Sequence, residues 1–393
     1  MPIVNRVAEY QNELTAWRRH LHERPELGFE EHGTAAFVAD KLHAFGVDEV
    51  HTGVGRTGVV AVVRGDGGGS GGRIGLRADM DALPIQEETG LPWASKTPGR
   101  MHACGHDGHT AMLLGAARYL AETRNFAGTV YLIFQPAEEG GAGGRVMLQD
   151  GLFERFPAER VFGLHNWPYA PTGTFAMCKG PAMAASDELT IELTGTGCHA
   201  AMPHLGRDPV VAASLLVQAL QALVAREVDP IDNAVLSITR IAGGDAYNVV
   251  PERVELWGTI RTFREDTRAR LVRRVQEVVR GVALAHGLEG RIRVAEGYPA
   301  TVNAAAEARA GADAAAEIVG EARVERDPPP CMGSEDFAFM LKERPGSYVW
   351  MGSGDEAGGK QLHSPRYDFN DGALAYGVSY WVRLVERLLP KAA

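Results

Sequence analysis

The run Thr129–Gln135 (TVYLIFQ) is apolar on both alternating faces, and such a strand must be covered on two sides. Residues 161–165 (VFGLH) repeat the pattern, and 57–64 (TGVVAVVR) and 73–79 (RIGLRAD) add two β-rich runs. Helical spacing appears over 3–23, through Val7, Leu14, Trp17 and Leu21, and stops before Pro25. It returns over 33–45, with Gly46 just past the end, and over 110–121. Doubly covered strands that alternate with helices specify an α/β domain: a mixed, largely parallel sheet flanked by helices. The glycine-rich stretch 65–72 reads as a flexible hairpin loop between its two neighbouring strands.

The middle of the chain has another rhythm. Residues 187–194 alternate as a strand, 208–226 form a helix, and 234–240 and 253–263 are strands with Gly243 and Gly244 between them. A helix over 264–286 and a strand over 291–296 complete the order β-α-β-β-α-β, the ferredoxin-like pattern. Elements of the α/β type resume after Pro299, so this block reads as an insertion. The expected division is 1–184, 185–297 and 298–393, the outer two parts forming one domain. A chain of 393 residues is too long for one small core.

Composition narrows the function classes. Forty basic against fifty acidic residues give a net charge of −10 with no Lys/Arg run, which argues against nucleic acid as partner. No stretch of about 18 apolar residues is present, so no membrane span is expected. The first residues lack the apolar core and cleavage site of a signal peptide. Four scattered cysteines do not make a disulfide scaffold. A cytoplasmic protein with reduced thiols is expected.

Chemistry concentrates in a few places. Residues 101–109 (MHACGHDGH) hold three histidines, a cysteine and an aspartate. Thiolate and imidazole suit a transition metal such as zinc, and Cys104 and His106, one residue apart, would face one side of an extended segment. Glu138 and Glu139 follow a buried strand at its C-terminal end, where open α/β sheets bind ligands. One acid can hold metal while its neighbour moves protons, although a solvated acidic turn gives the same pattern. His165, Asp79 and Asp81 also end strands, and His363 lies in a late loop. Each alone reads equally as a core or surface residue. If the strand ends converge, Cys104, His106, Glu139, His165 and His363 can meet; five ligands exceed the three plus water of a catalytic zinc and suit two metals. In the middle block stand His199, Asn248 and Arg261. Arginine grips carboxylates in a bidentate manner, but Arg261 also reads as a sheet-surface ion pair and His199 as a helix cap.

These motifs resemble the M20 metallopeptidase superfamily, and most of all its branch of N-acyl-amino-acid amidohydrolases, with hippurate hydrolases, bacterial aminoacylases and plant auxin-conjugate hydrolases. The resemblance rests on RADMDALP at 77–84, MHACGHDGH at 101–109, QPAEEGGAGG at 135–144, GLHNWP at 163–168, GTGCHAAMPHLGRDP at 195–209, NVVP at 248–251, MGSEDF at 332–337 and LHSP at 362–365. It implies two divalent metal ions per subunit, zinc or manganese before cobalt or nickel. Cys104 would bridge them, His106 and His165 would complete one site, and Glu139 and His363 the other. It implies Glu138 as general base and a catalytic, oxyanion-stabilising role for His199. His199, Asn248 and Arg261 would bind an N-acyl amino acid. The inserted domain would be a lid and dimerisation domain, His199 would serve the neighbouring subunit, and the protein would be a homodimer or dimer-based tetramer. A dipeptidase or carboxypeptidase, or an N-acetyl-diaminopimelate-type deacetylase, would use the same scaffold.

Overall fold

The computed structural model describes residues 4–67, 71–355 and 360–391. Ile3 and the middle of the glycine-rich stretch, 68–70, lie outside the described residues. The strands in chain order are β1 Glu49–Val54, β2 Gly58–Arg64, β3 Arg73–Asp79, β4 Thr129–Gln135, β5 Arg160–Pro171, β6 Phe175–Ala176 and β7 Gly180–Met183. They continue with β8 Ala185–Thr194, β9 Cys198–His199, β10 Ala234–Ala242, β11 Val249–Val250, β12 Arg253–Thr262 and β13 Glu289–Glu296. The last three are β14 Thr301–Asn303, β15 Val324–Glu325 and β16 Gly346–Gly354.

Two compact units divide the chain. The first comprises Met1–Ala182, Val302–Pro330 and Asp336–Ala393; the second comprises Met183–Thr301 and Cys331–Glu335. The second unit is therefore wider than 185–297. Backbone bonds explain the additions: the Ala184 N–H donates to the carbonyls of Cys331 and Gly333, and the Ser186 N–H to that of Tyr298.

An eight-stranded sheet in the order β1-β2-β4-β3-β5-β16-β6-β15 forms the first unit. β3 is parallel to both β4 and β5, and β5 is parallel to β16, while β1, β2 and β4 run antiparallel in turn. The sheet is mixed, with a parallel centre. The 65–72 stretch does not close a hairpin: β4 lies between β2 and β3 and pairs with both. A crossover through the helix His106–Thr123 brings β4 beside β3, and β2 takes the other edge of β4. That helix is buried from His106 through Ala117 and packs against Gln11–His22, His32–Phe45 and Leu374–Leu388. The N-terminal helix is also two pieces, Asn5–Ala8 and Gln11–His22, instead of one over 3–23. The Tyr10 hydroxyl bonds Glu122 at 2.6 Å, and this anchor fixes the chain at the break.

The second unit has a four-stranded antiparallel sheet in the order β10-β12-β8-β13, with helices Pro209–Glu227 and Glu265–Ala285. This is the ferredoxin-like strand order. Asp208 caps the first helix by accepting from the Val210 and Val211 amides. Leu189, Ile191, Leu193, Leu216, Leu220, Leu256, Val275 and Val279 build a separate core. Among the described residues, Pro209–Glu227 is the one helix long and apolar enough to cross a membrane, and a third of its richest window is buried.

Candidate metal centre

β3, β4 and β5 are neighbours that run parallel, so their C-terminal ends meet on one edge. Asp79 and Gln135 end β3 and β4 there. His165, expected to end its strand, instead lies inside β5, which runs on past it to Pro171 along β16. It stands two residues beyond the last pairing of β5 with β3. The N-terminus of the helix His106–Thr123 faces the same edge, and Gly105 makes the turn into it at φ 95°. A Cβ at 105 would stand 2.3 Å from Asn166 Oδ1, so only glycine fits between Cys104 and His106. Ala137 and His363 also hold positive φ, 51° and 61°. Non-glycine residues sit there only where their surroundings impose it, and both lie in the site.

The five metal ligands read from the sequence come together in two sets that share one atom. Ligand atoms of Cys104, His106 and His165 lie within 4.8 Å of one another, as do those of Cys104, Glu139 and His363. Cys104 Sγ is 3.4 Å from His165 Nε2, and His363 Nε2 is 3.1 Å from Glu139 Oε1. The other nitrogen of each inner imidazole is engaged: His165 Nδ1 donates to the Asn166 carbonyl at 2.7 Å, and His106 Nδ1 faces the Asp81 carbonyl at 2.9 Å. That arrangement turns both Nε2 atoms towards the sulfur.

Two divalent cations fit this set. His106 Nε2 is buried without a hydrogen-bond partner among the described residues, which is costly unless a cation meets it. Burial, and then the Glu139 charge, push the Cys104 thiol up. Hydrogen bonds to Cys104 and Glu139 raise His363 to about 10. Groups that hold protons this firmly in an anionic cluster release them when a cation takes their place. Burial and the nearby His109 hold His165 well below its usual value, as a neutral ligand requires.

Several orienting residues were quoted in the sequence motifs without a role. Asp81 accepts from the backbone amides of Glu138 and Glu139 at 3.0 and 2.9 Å and lies 3.3 Å from His106 Nδ1, so it aligns the acid pair with a ligand. His109 spans Asp79 at 2.5 Å and Asn166 at 2.6 Å, and Asn166 donates to the Tyr367 hydroxyl at 2.8 Å. Asp79, His106 and His109 also lie close enough to suggest a metal, but Asp79 already takes Arg77 at 2.7 Å and His109. Burial alone would raise the Asp79 carboxyl; His106, Arg77 and His109 hold it well down.

Behind the helix start, His22 Nδ1 meets Asp107 at 2.8 Å and its Nε2 lies 3.4 Å from Glu87. Burial works against the charged imidazole, but Asp107 and Glu87 overcome it and raise His22 to about 9. A folded value above the unfolded one stabilises fully below pH 6.5 and fades as pH rises through about 9. The urea midpoint of His22→Gln should therefore fall below wild type by an amount worth up to roughly 3 kcal/mol near pH 6. The gap should narrow above pH 9; a constant gap would remove His22 as the titrating group.

The three substrate residues read from the sequence all lie in the second unit, and it does not gather them. His199 and Asn248 sit together on a short ribbon in which Val249 pairs with His199. His199 does not cap the following helix; Asp208 does. Arg261 is at the other end of β12, opposite Ser186, whereas Arg253 is opposite Thr194. From Arg253 to Arg261 the strand alone spans roughly 26 Å at about 3.3 Å per residue. The ribbon lies beyond that, because Gly195 N–H bonds Glu252 and Cys198 pairs with Val250. Arg261 is half-buried and forms no ion pair among the described residues; its bonds go to Thr259 and the Ile260 carbonyl. The surface ion-pair reading of Arg261 is thereby removed.

Comparison with known proteins agrees with this geometry. Residues 75–387 match the peptidase family M20/M25/M40. A hippurate hydrolase of Campylobacter jejuni is 42% identical over 99% of this chain and 100% of its own length. An N-acetyl-L-cysteine deacetylase of Bacillus subtilis is 40% identical over 96% of this chain and 89% of its own. A dinuclear metal-binding peptidase of the M20 family from Bacillus subtilis, solved by crystallography, superposes with a TM-score of 0.84 at 35% identity, covering 98% of this chain and all of that one.

Proposed function

The chain belongs to the peptidase family M20/M25/M40, and on that premise we propose that it hydrolyses the amide bond of N-acyl amino acids, giving a carboxylic acid and a free amino acid. The observation that carries this reading is the pair of ligand sets sharing Cys104 with Glu138 beside them. When bound, two divalent cations supply Lewis-acid polarisation of the amide carbonyl and acidify the attacking water. Zinc or manganese suits the donors best, with cobalt and nickel as further candidates.

Glu138 acts as general base: its carboxylate takes a proton from the water and passes one to the leaving amine nitrogen. Its own amide is tied to Asp81, so the carboxylate starts from a fixed backbone. His199 supplies a donor to the oxyanion. Arg261 holds the α-carboxylate of the amino-acid half together with Asn248 of the partner subunit, and the Arg261 guanidinium, in no ion pair among the described residues, supports that role. Arg261→Ala should raise KM for substrates with a free carboxylate by about 10-fold or more and leave the corresponding methyl ester little changed. Equal losses on both would argue against the assignment.

The opposite ends occupied by Arg261 and His199 also support a homodimer, or a dimer-based tetramer. One small amide cannot reach both Arg261 and the ribbon of one chain, so His199 of the partner subunit and Asn248 of the partner subunit complete the site. Val210, Val211 and Leu215 on one helix and Ile241 on β10 at the sheet edge are exposed apolar residues suited to such contact. A reducing, cytoplasmic setting belongs to the same reading, supported by four cysteines that are all unpaired.

A panel of N-acetyl and N-benzoyl amino acids against free dipeptides and N-acetyl-diaminopimelate, run on apo protein reloaded with each metal in turn, tests the reading. Turnover of the N-acyl amino acids with restored metal supports it; preferential dipeptide cleavage would shift it to a peptidase of the same scaffold.

A further inference from the structure

Asp336 is completely buried in the first unit, in the motif MGSEDF that the reaction scheme leaves without a role. Its Oδ1 accepts from Arg77 Nη2 at 3.0 Å and Gln135 Nε2 at 2.7 Å, and its Oδ2 from the Gly144 amide at 2.8 Å. Arg77, also buried, meets Asp79 at 2.7 Å and Gln135 Oε1 at 2.9 Å. One carboxylate is thus fixed to β3, to β4 and to the start of the helix Gly143–Gln149. Gly144 makes the approach possible: a Cβ there would lie 3.0 Å from the Asp336 carbonyl oxygen and 3.1 Å from Gln135 Oε1.

The consequence lies on the backbone. The Asp336 N–H donates to Glu138 Oε1 at 3.4 Å. We propose that Asp336 is a positioning residue for Glu138: its clamped carboxylate holds the segment so that its amide fixes the plane of the Glu138 carboxylate. A glutamate has several rotatable bonds, and a base that must face the water and then the leaving nitrogen gains rate from being held in one orientation. Burying a carboxylate with an arginine is a poor way to add stability, which favours an orienting purpose for this pair. The inference rests on Glu138 being the general base.

Asp336→Asn preserves shape and replaces one acceptor oxygen by a donor. In the metal-loaded enzyme we expect kcat on an N-acyl amino acid to fall about 10- to 100-fold with KM within about 2-fold and two metal ions per chain retained. In a Glu138→Gln background the same substitution should cost less than about 2-fold, because its route to the chemistry is already gone. Full additivity, a loss expressed in KM, or loss of metal would overturn the proposal. Gln135→Met removes one of these donors without stranding a charge. It should lower kcat several-fold with the same split, and it replaces Asp336→Asn should that variant not fold. The two levels fail separately: a Glu138→Gln enzyme that still turns over overturns the base, whereas an inactive Glu138→Gln with a fully active Asp336→Asn overturns only the positioning role.

Discussion

Glu138→Gln is expected to keep both metal ions and lose roughly 10²–10⁴-fold in kcat. Metal retention follows from the division of labour between the adjacent acids. Glu139, not Glu138, shares the ligand set with Cys104 and His363. The amide of glutamine keeps the size of the side chain and the backbone bond from residue 138 to Asp81. What it loses is basicity, and with it both proton transfers. The measurement is steady-state turnover of an N-acyl amino acid beside metal content per chain. Near-normal turnover with full metal would remove Glu138 as the base. Lost turnover with lost metal would make it a ligand, since Glu138, His106 and Glu139 also lie within 4.8 Å of one another. Cys104→Ala offers the contrast: the shared donor disappears, and both sites should weaken together.

The candidate ligands were legible because they are of unusual type and occur in dense motifs beside strands whose apolar runs are unmistakable. A parallel sheet then does the gathering, since neighbouring C-terminal ends must share an edge. Strand neighbours were not legible in the same way. β2 and β3 are separated by a glycine-rich stretch that looks like a turn, yet β4 lies between them, and nothing local in 57–79 records a strand that comes so much later. The break at Tyr10 is similar, because the residue there is held by a bond to the distant Glu122. Asp81, His109, Asn166 and Asp336 were visible as letters in motifs. Their roles depend on which lone pair meets which N–H, and that exists only in the assembled edge. For the second unit the sequence motifs carried His199, Asn248 and Arg261 as one binding set, and the register of β12 shows that one chain separates Arg261 from the other two.

That separation makes the strongest demand on quaternary structure. Glu138→Gln and His199→Ala, each nearly inactive alone, should regain activity when co-expressed. If His199 serves the partner's site, a mixed dimer holds one site with both substitutions and one with neither. Random pairing makes half the dimers mixed, each with one native site of two, so about a quarter of wild-type kcat should return. If His199 serves its own chain, every site carries one substitution and nothing returns. The recovered activity should match wild type in KM, because the rebuilt site is chemically native. Recovery in KM-altered form, or none at all from a purified mixed dimer, would place His199 outside the partner's site. The expectation rests on β12: between Arg253 and Arg261 it is one strand of a continuous antiparallel ladder with β8, and such a ladder does not fold back to bring Arg261 and His199 of one chain around one amide.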